Sequence, residues 1–109
     1  MTPLEKQLLV IFLKDIGFLE YDIYETVDKT VIVERKPDPV GFHTTLKIPN
    51  MEKIDNKIHW GRAEGESSQG VSIGFAIYKY EDYLILEGYT YGAELYPHDD
   101  KNIKLWLDE

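Results

Sequence analysis

The chain has 109 residues, 43% hydrophobic and 29% charged, with a formal net charge of −8 and no cysteine. A chain of this length is one domain, able to bury roughly 65% of the surface it exposes when unfolded. Its composition excludes disorder, and no run approaches the roughly 20 apolar residues of a membrane span. The absence of cysteine excludes a disulfide framework and thiolate metal sites.

The charge is uneven: residues 1–54 carry seven basic and nine acidic side chains, residues 55–109 five and eleven. A field of that sign opposes phosphate backbones, so nucleic acid is not an expected partner, whereas a basic protein surface would be drawn in. The apolar run from Leu8 to Leu13 is flanked by Glu5, Lys6, Lys14 and Asp15 and has no small-residue cleavage site, which makes a poor signal peptide. A cytoplasmic, single-domain protein (1–109), not membrane-bound, is the expectation.

Thr2, Pro3 and Glu5 have the spacing of a capping box with proline at the first helical position. Gly17 can take the left-handed conformation that ends a helix, with Phe18 packing back on Leu13. A helix over residues 3–16 follows, and its wide apolar set, Leu4, Leu8, Leu9, Ile11, Phe12, Leu13 and Ile16, suits deep packing against a sheet.

After Gly17 the period shortens from 3.6 to 2. The segments DIYETV and TVIVERK read as a hairpin about Asp28 and Lys29, and KPDPVG breaks the chain with two prolines. FHTTLKI alternates Phe42, Thr44, Leu46 and Ile48 against His43, Thr45 and Lys47; KIHWGRA is a further strand; EGESSQG is a hairpin loop. The tail NIKLWLDE alternates like a strand but also suits a short helix, and both remain open. The expected fold is α+β: an N-terminal helix packed on a curled antiparallel sheet of about six strands.

The stretch GFAIYKYEDYLILEGYTYG is the most informative. A turn at Glu81 and Asp82 pairs Tyr80 with Tyr83, Tyr78 with Ile85 and Ile77 with Leu86. One face then carries Val71, Ile73, Phe75, Ile77, Leu84 and Leu86, a core face. The other carries Tyr78, Tyr80, Tyr83, Tyr89 and Tyr91, with Gly74 opposite Tyr89. A slip of one residue would bring Glu87 to the core face, so the hydrophobic pattern selects this register. Tyrosines over small residues can be cover for bare backbone; they can equally be rigid contact area with a polar tip, as at interfaces. Glu81, Asp82 and Glu87 border them.

No residue pattern specifies catalysis. His43, His59 and His98 are the natural acid/base candidates, but their spacing has no specificity. His98, Asp99 and Asp100 are adjacent in one loop and lack the spacing of a metal site. WGRAEGE lacks the lysine and hydroxyl of a phosphate loop. The chain therefore reads as a non-enzymatic acidic interaction module, an inhibitor or immunity-type protein without metal or cofactor. Its partner-binding residues would be Tyr78, Tyr80, Tyr83, Tyr89, Tyr91, Glu81, Asp82 and Glu87. The alternative is a small-ligand binder or small enzyme with a pocket around His59, Trp60 and Arg62.

Overall fold

The computed structural model describes residues 1–49, 51–53, 60–92 and 94–107, the side chains at 53, 60 and 107 excepted. Thr2 caps the first helix, α1 (Pro3–Asp15). Its hydroxyl accepts from the Glu5 amide at 3.2 Å, and the Glu5 carboxylate accepts from the Thr2 amide at 2.7 Å. At the other end Gly17 takes φ 95°, and the Phe18 and Gly17 amides donate to the Leu13 and Lys14 carbonyls at 2.9 and 3.1 Å. These are the two bonds of a Schellman motif, which satisfy carbonyls the helix leaves open.

Residues 22–27 form no strand. They lie in a second helix, α2 (Glu20–Asp28). Strand alternation would set Ile23, Glu25 and Val27 against Asp22, Tyr24 and Thr26, which does not separate apolar from polar. Helical spacing does bring Ile23, Thr26 and Val27 together, and Ile23 and Thr26 are each 1% exposed. Lys29 pairs with Glu25 one turn back at 2.8 Å. Asp28 and Lys29 thus close a helix instead of turning a hairpin.

Six strands follow: β1 (Val31–Asp38), β2 (Gly41–Lys47), β3 (Trp60–Glu66), β4 (Ser72–Tyr80), β5 (Tyr83–Thr90) and β6 (Lys104–Leu107). They form one sheet in the order β1-β2-β5-β4-β3-β6 with every neighbour antiparallel. The fold is α+β, with the helices N-terminal and the sheet only weakly curled. The tail is a strand, paired with β3. It makes up the number of strands that the second helix takes away. Pro37 lies inside β1, not at a break, because β1 is an edge strand where a missing N–H is tolerated. Residues 67–70 form a tight loop in which the Ser67 hydroxyl accepts from the Gln69 and Val71 amides at 3.3 and 2.9 Å.

β4 and β5 pair in the register expected from the sequence, Tyr80 with Tyr83 and Gly74 with Tyr89. Ile73, Phe75, Ile77, Leu84 and Leu86 are buried. With Leu46 and Ala63 they meet Leu8, Leu9, Phe12 and Leu13 of α1 and Ile23 of α2 in one core. Both helices therefore occupy one face of the sheet. Among the described residues no helix is long and apolar enough to cross a membrane.

Glu5 does a second task beyond the cap. Although only 5% exposed, its carboxylate accepts from Arg35 of β1 through Nε at 3.0 Å and Nη2 at 2.8 Å. The start of α1 is thereby tied to the edge of the sheet. Burial alone would raise the Glu5 pKa, but the bonds from Arg35 and Thr2 outweigh it and hold it below its ordinary 4.5.

Two outcomes follow from this junction. Thr2→Ala removes the cap acceptor and should destabilise by about 1 kcal/mol, read as a lower urea midpoint; an unchanged midpoint would deny the cap its weight. Arg35→Ala should cost about 2 kcal/mol near neutral pH. A depressed carboxylate contributes stability above its unfolded pKa and loses it as pH falls through the folded one. The penalty for Arg35→Ala should accordingly shrink below about pH 4, measured as urea midpoints on either side of that value.

Candidate functional site

The face of the sheet opposite the helices carries the tyrosines. Alternation sends Tyr78 and Tyr80 of β4 and Tyr83, Ile85, Glu87 and Tyr89 of β5 to it, with Tyr91 just beyond the strand. Their neighbours come from strands distant in sequence: His43 beside Glu87, Thr45 beside Ile85, Arg62 beside Ala76 and Glu64 beside Gly74. β6 adds Trp106 beside Glu64, 48% exposed. No described element covers this face.

The five rings are not equivalent. Tyr89 lies over Gly74, where a Cβ would strike the ring, so this ring covers backbone that has no side chain of its own. Tyr91 packs edge-on against Tyr89, centroids 5.6 Å apart, and its hydroxyl donates to Glu64 at 2.9 Å. Desolvation and the Glu64 carboxylate both push the Tyr91 pKa up, keeping the donor proton in place. Tyr89 and Tyr91 thus form a fixed end of the face.

Tyr78, Tyr80 and Tyr83 stand at the other end, near the turn, and Tyr80 is 61% exposed. Burial and the charge of Glu87 raise the pKa of Tyr78. His43 Nε2 lies 3.5 Å from Glu87 Oε1. Glu81, with φ 55°, and Asp82 are exposed at the tip of the hairpin. Of the eight residues expected to meet a partner, the five rings and Glu87 lie along this side of the hairpin, Tyr89 and Tyr91 at one end and Tyr78, Tyr80 and Tyr83 at the other, and Glu81 and Asp82 form its tip.

The alternative pocket is placed only in part. His59 and the Trp60 side chain lie outside the described residues. Arg62, with Gly61, lines a crevice between α1 and β3–β4 of about 20 Å³, room for about one water. A larger cleft, about 250 Å³, opens elsewhere on the helix side, between the cap Thr2 and Glu5 of α1, Arg35 and Thr44, and Tyr96 and His98 of the β5–β6 connection. Tyr96 is 7% exposed, packs edge-on against Phe42 at 5.3 Å, and has a buried hydroxyl without a partner.

His98 and Asp100 act as clasps for that connection. His98 Nε2 meets the Asp38 carbonyl at 2.7 Å, which requires this nitrogen to carry the proton. Asp100 accepts from the Ser68 amide and hydroxyl at 2.7 and 2.9 Å and from the Asn102 amide at 2.8 Å. Among the described residues no group of three or more His, Cys, Asp or Glu side chains could hold a metal ion.

Comparison with protein-family models, with curated proteins and with solved structures gives no match.

The packing of Tyr89 on Gly74 makes one firm prediction. Gly74→Ala must displace the ring, which should destabilise by about 1 to 3 kcal/mol; the double change Gly74→Ala with Tyr89→Ala should recover part of that loss. If the losses of Gly74→Ala and of Tyr89→Ala alone simply add in the double change, read from the denaturation midpoints, the ring has no bearing on Gly74.

Proposed function

We propose that this protein is a non-enzymatic acidic interaction module, of inhibitor or immunity type, whose tyrosine face occupies a basic site on a partner protein. The observation that carries the reading is the bare outer face: both helices pack on the other side, and the outer side carries five tyrosines, of which Tyr80 and Tyr91 are exposed together with Trp106 while the other three are half-buried. Tyrosine gives large contact area at small entropic cost, and a sheet holds the rings in place before the partner arrives. The net charge of −8, with Glu81 and Asp82 at the tip and Glu64 and Glu87 between the rings, favours a basic protein over a nucleic acid as partner, and the lack of cysteine fits a reducing, cytoplasmic compartment.

A second reading, small-ligand binding, is favoured by the cleft at Arg35 and Tyr96, where the buried Tyr96 hydroxyl lacks an acceptor. A buried donor left unpaired costs roughly 1–3 kcal/mol, which a ligand or water accepting from it would relieve. That cleft lies on the helix side of the sheet, so variants separate the two readings.

The test uses a partner recovered with the protein from its native cells and then purified. Truncating Tyr80 or Tyr83 to alanine should weaken the complex by about 2 kcal/mol, mainly through faster dissociation. Reversing the charges of Glu81 and Asp82 should slow association, and the penalty should fade as salt rises. Tyr21→Ala, an exposed change on α2, should do neither. Rates unaltered by the tyrosine variants but altered by Tyr96→Phe would transfer the function to the cleft.

A further inference from the structure

At the β1–β2 edge of the sheet the inner face meets the start of α1 and the β5–β6 connection, and the cleft of about 250 Å³ lies between them. Register builds its floor: Arg35 pairs with Thr44 and Pro37 with Phe42, so all four side chains stand on the same side. Leu4 and Ile103 add apolar wall. The connection is fastened to the β1–β2 turn at two points, where the Tyr96 amide donates to the Pro39 carbonyl at 2.9 Å and His98 Nε2 to the Asp38 carbonyl at 2.7 Å. The shape of the cleft is thereby set before a ligand arrives.

The groups that line it select a neutral guest. Glu5 and Arg35 satisfy one another through two hydrogen bonds. Asp100 accepts three, from the Ser68 amide and hydroxyl and the Asn102 amide. An anion would lie close to both carboxylates and find the Arg35 charge already matched; a cation would have to draw Glu5 away from Arg35. Either would also lose hydration against Leu4, Pro37, Phe42 and Ile103. The Tyr96 hydroxyl is in the opposite condition. Tyr96 is 7% exposed, and its hydroxyl has no hydrogen-bond partner among the described residues. Burial raises its pKa, so the proton stays on the oxygen and the group is a donor in want of an acceptor. The acceptor that suits a cleft with its charges already matched is a neutral one, such as a carbonyl oxygen.

Size and shape narrow the class further. A cavity of about 150 Å³ holds benzene, so the 250 Å³ of this cleft has room for one ring with a small substituent. Phe42 and Tyr96 already meet edge-on at 5.3 Å, and a third ring beside them can make the same kind of contact.

We infer that the cleft between Arg35, Phe42 and Tyr96 is a binding site for a small neutral aromatic carbonyl compound, its ring against Leu4, Phe42 and Ile103 and its oxygen accepting from the Tyr96 hydroxyl. This rests on the small-ligand reading of the cleft and names the chemical class that reading leaves open. It is independent of the tyrosine face, which lies on the other side of the sheet.

Three probes test it: acetophenone, which has the ring and the carbonyl; benzoate, nearly the same shape with a charge; and acetone, the carbonyl without the ring. Each is titrated into isotope-labelled protein while amide shifts are followed. Acetophenone should move the amides of Glu5, Phe42, Thr44, Tyr96 and His98 along saturable curves, with a dissociation constant on the order of millimolar. Benzoate and acetone should each bind about ten-fold more weakly or less. Tyr96→Phe, which removes one oxygen and no packing, should weaken acetophenone about five-fold. Without ligand the same variant should be no less stable to urea than the parent, because the oxygen it removes has no bond to lose. A clearly lower midpoint would show the hydroxyl already engaged and would overturn the assignment, as would acetophenone binding that ignores Tyr96→Phe. Benzoate matching acetophenone at these amides would keep the cleft as a ligand site and remove the neutral class; silence of these amides with all three probes would remove the small-ligand reading along with it.

Discussion

The pairing of β4 with β5 about the Glu81–Asp82 turn is the constraint on which the other arrangements depend. These two strands lie at the centre of the sheet, so their register decides what every neighbour sees. A shift of one residue would carry Glu87 to the side of Phe75 and bring tyrosines against α1. The turn itself is not comfortable, since Glu81 sits at φ 55°, where a side chain is disfavoured. It is held there by the burial of Ile73, Phe75, Ile77, Leu84 and Leu86 below it. Core packing sets the register, and the register then places all the tyrosines on the opposite side.

How much of this could be read from the chain depends on how local each cause is. The capping box and the Gly17 stop involve residues within a few positions of one another, and both were legible. The β4–β5 hairpin was legible too, because its alternation extends over some twenty residues and only one register keeps Glu87 out of the core. α2 was not. The stripe of Ile23, Thr26 and Val27 is there, but it is three residues in nine, with Tyr21 78% exposed beside it, and a window that short gives the period little weight. The tail was undecided for a related reason: β6 is four residues long and is a strand because β3 offers it an edge.

The site shows the same division. That the tyrosines share a face followed from parity alone. Which of them are committed elsewhere did not, because Tyr91 finds Glu64 only once β3 lies against β4, 27 positions away in sequence. Trp106 joins the face by the same route, through β6. The cleft at Arg35 and Tyr96 gathers the first turn of α1, two strands and the β5–β6 connection, and no pattern along the chain announces such a meeting. His98 and Asp100, the residues most suggestive of metal chemistry, have their hydrogen bonds occupied in holding that connection to the β1–β2 and β3–β4 turns.

The two ends of the tyrosine face divide stiffness from availability. Tyr89 is met edge-on by Tyr91 and laid over Gly74, and Tyr91 is hydrogen-bonded to Glu64, so a partner that covers them has little side-chain freedom to remove and gains mainly by excluding water. Tyr80 and Tyr83 make no such commitments in the described contacts, and they stand next to the only acids at the hairpin tip. Association would then begin at the tip, where the charge acts at a distance, and be held by the rings behind it. In the proposed complex, affinity would be set by dissociation from the rings, since a charged tip attracts any basic surface while fixed rings retain only one whose shape fits them.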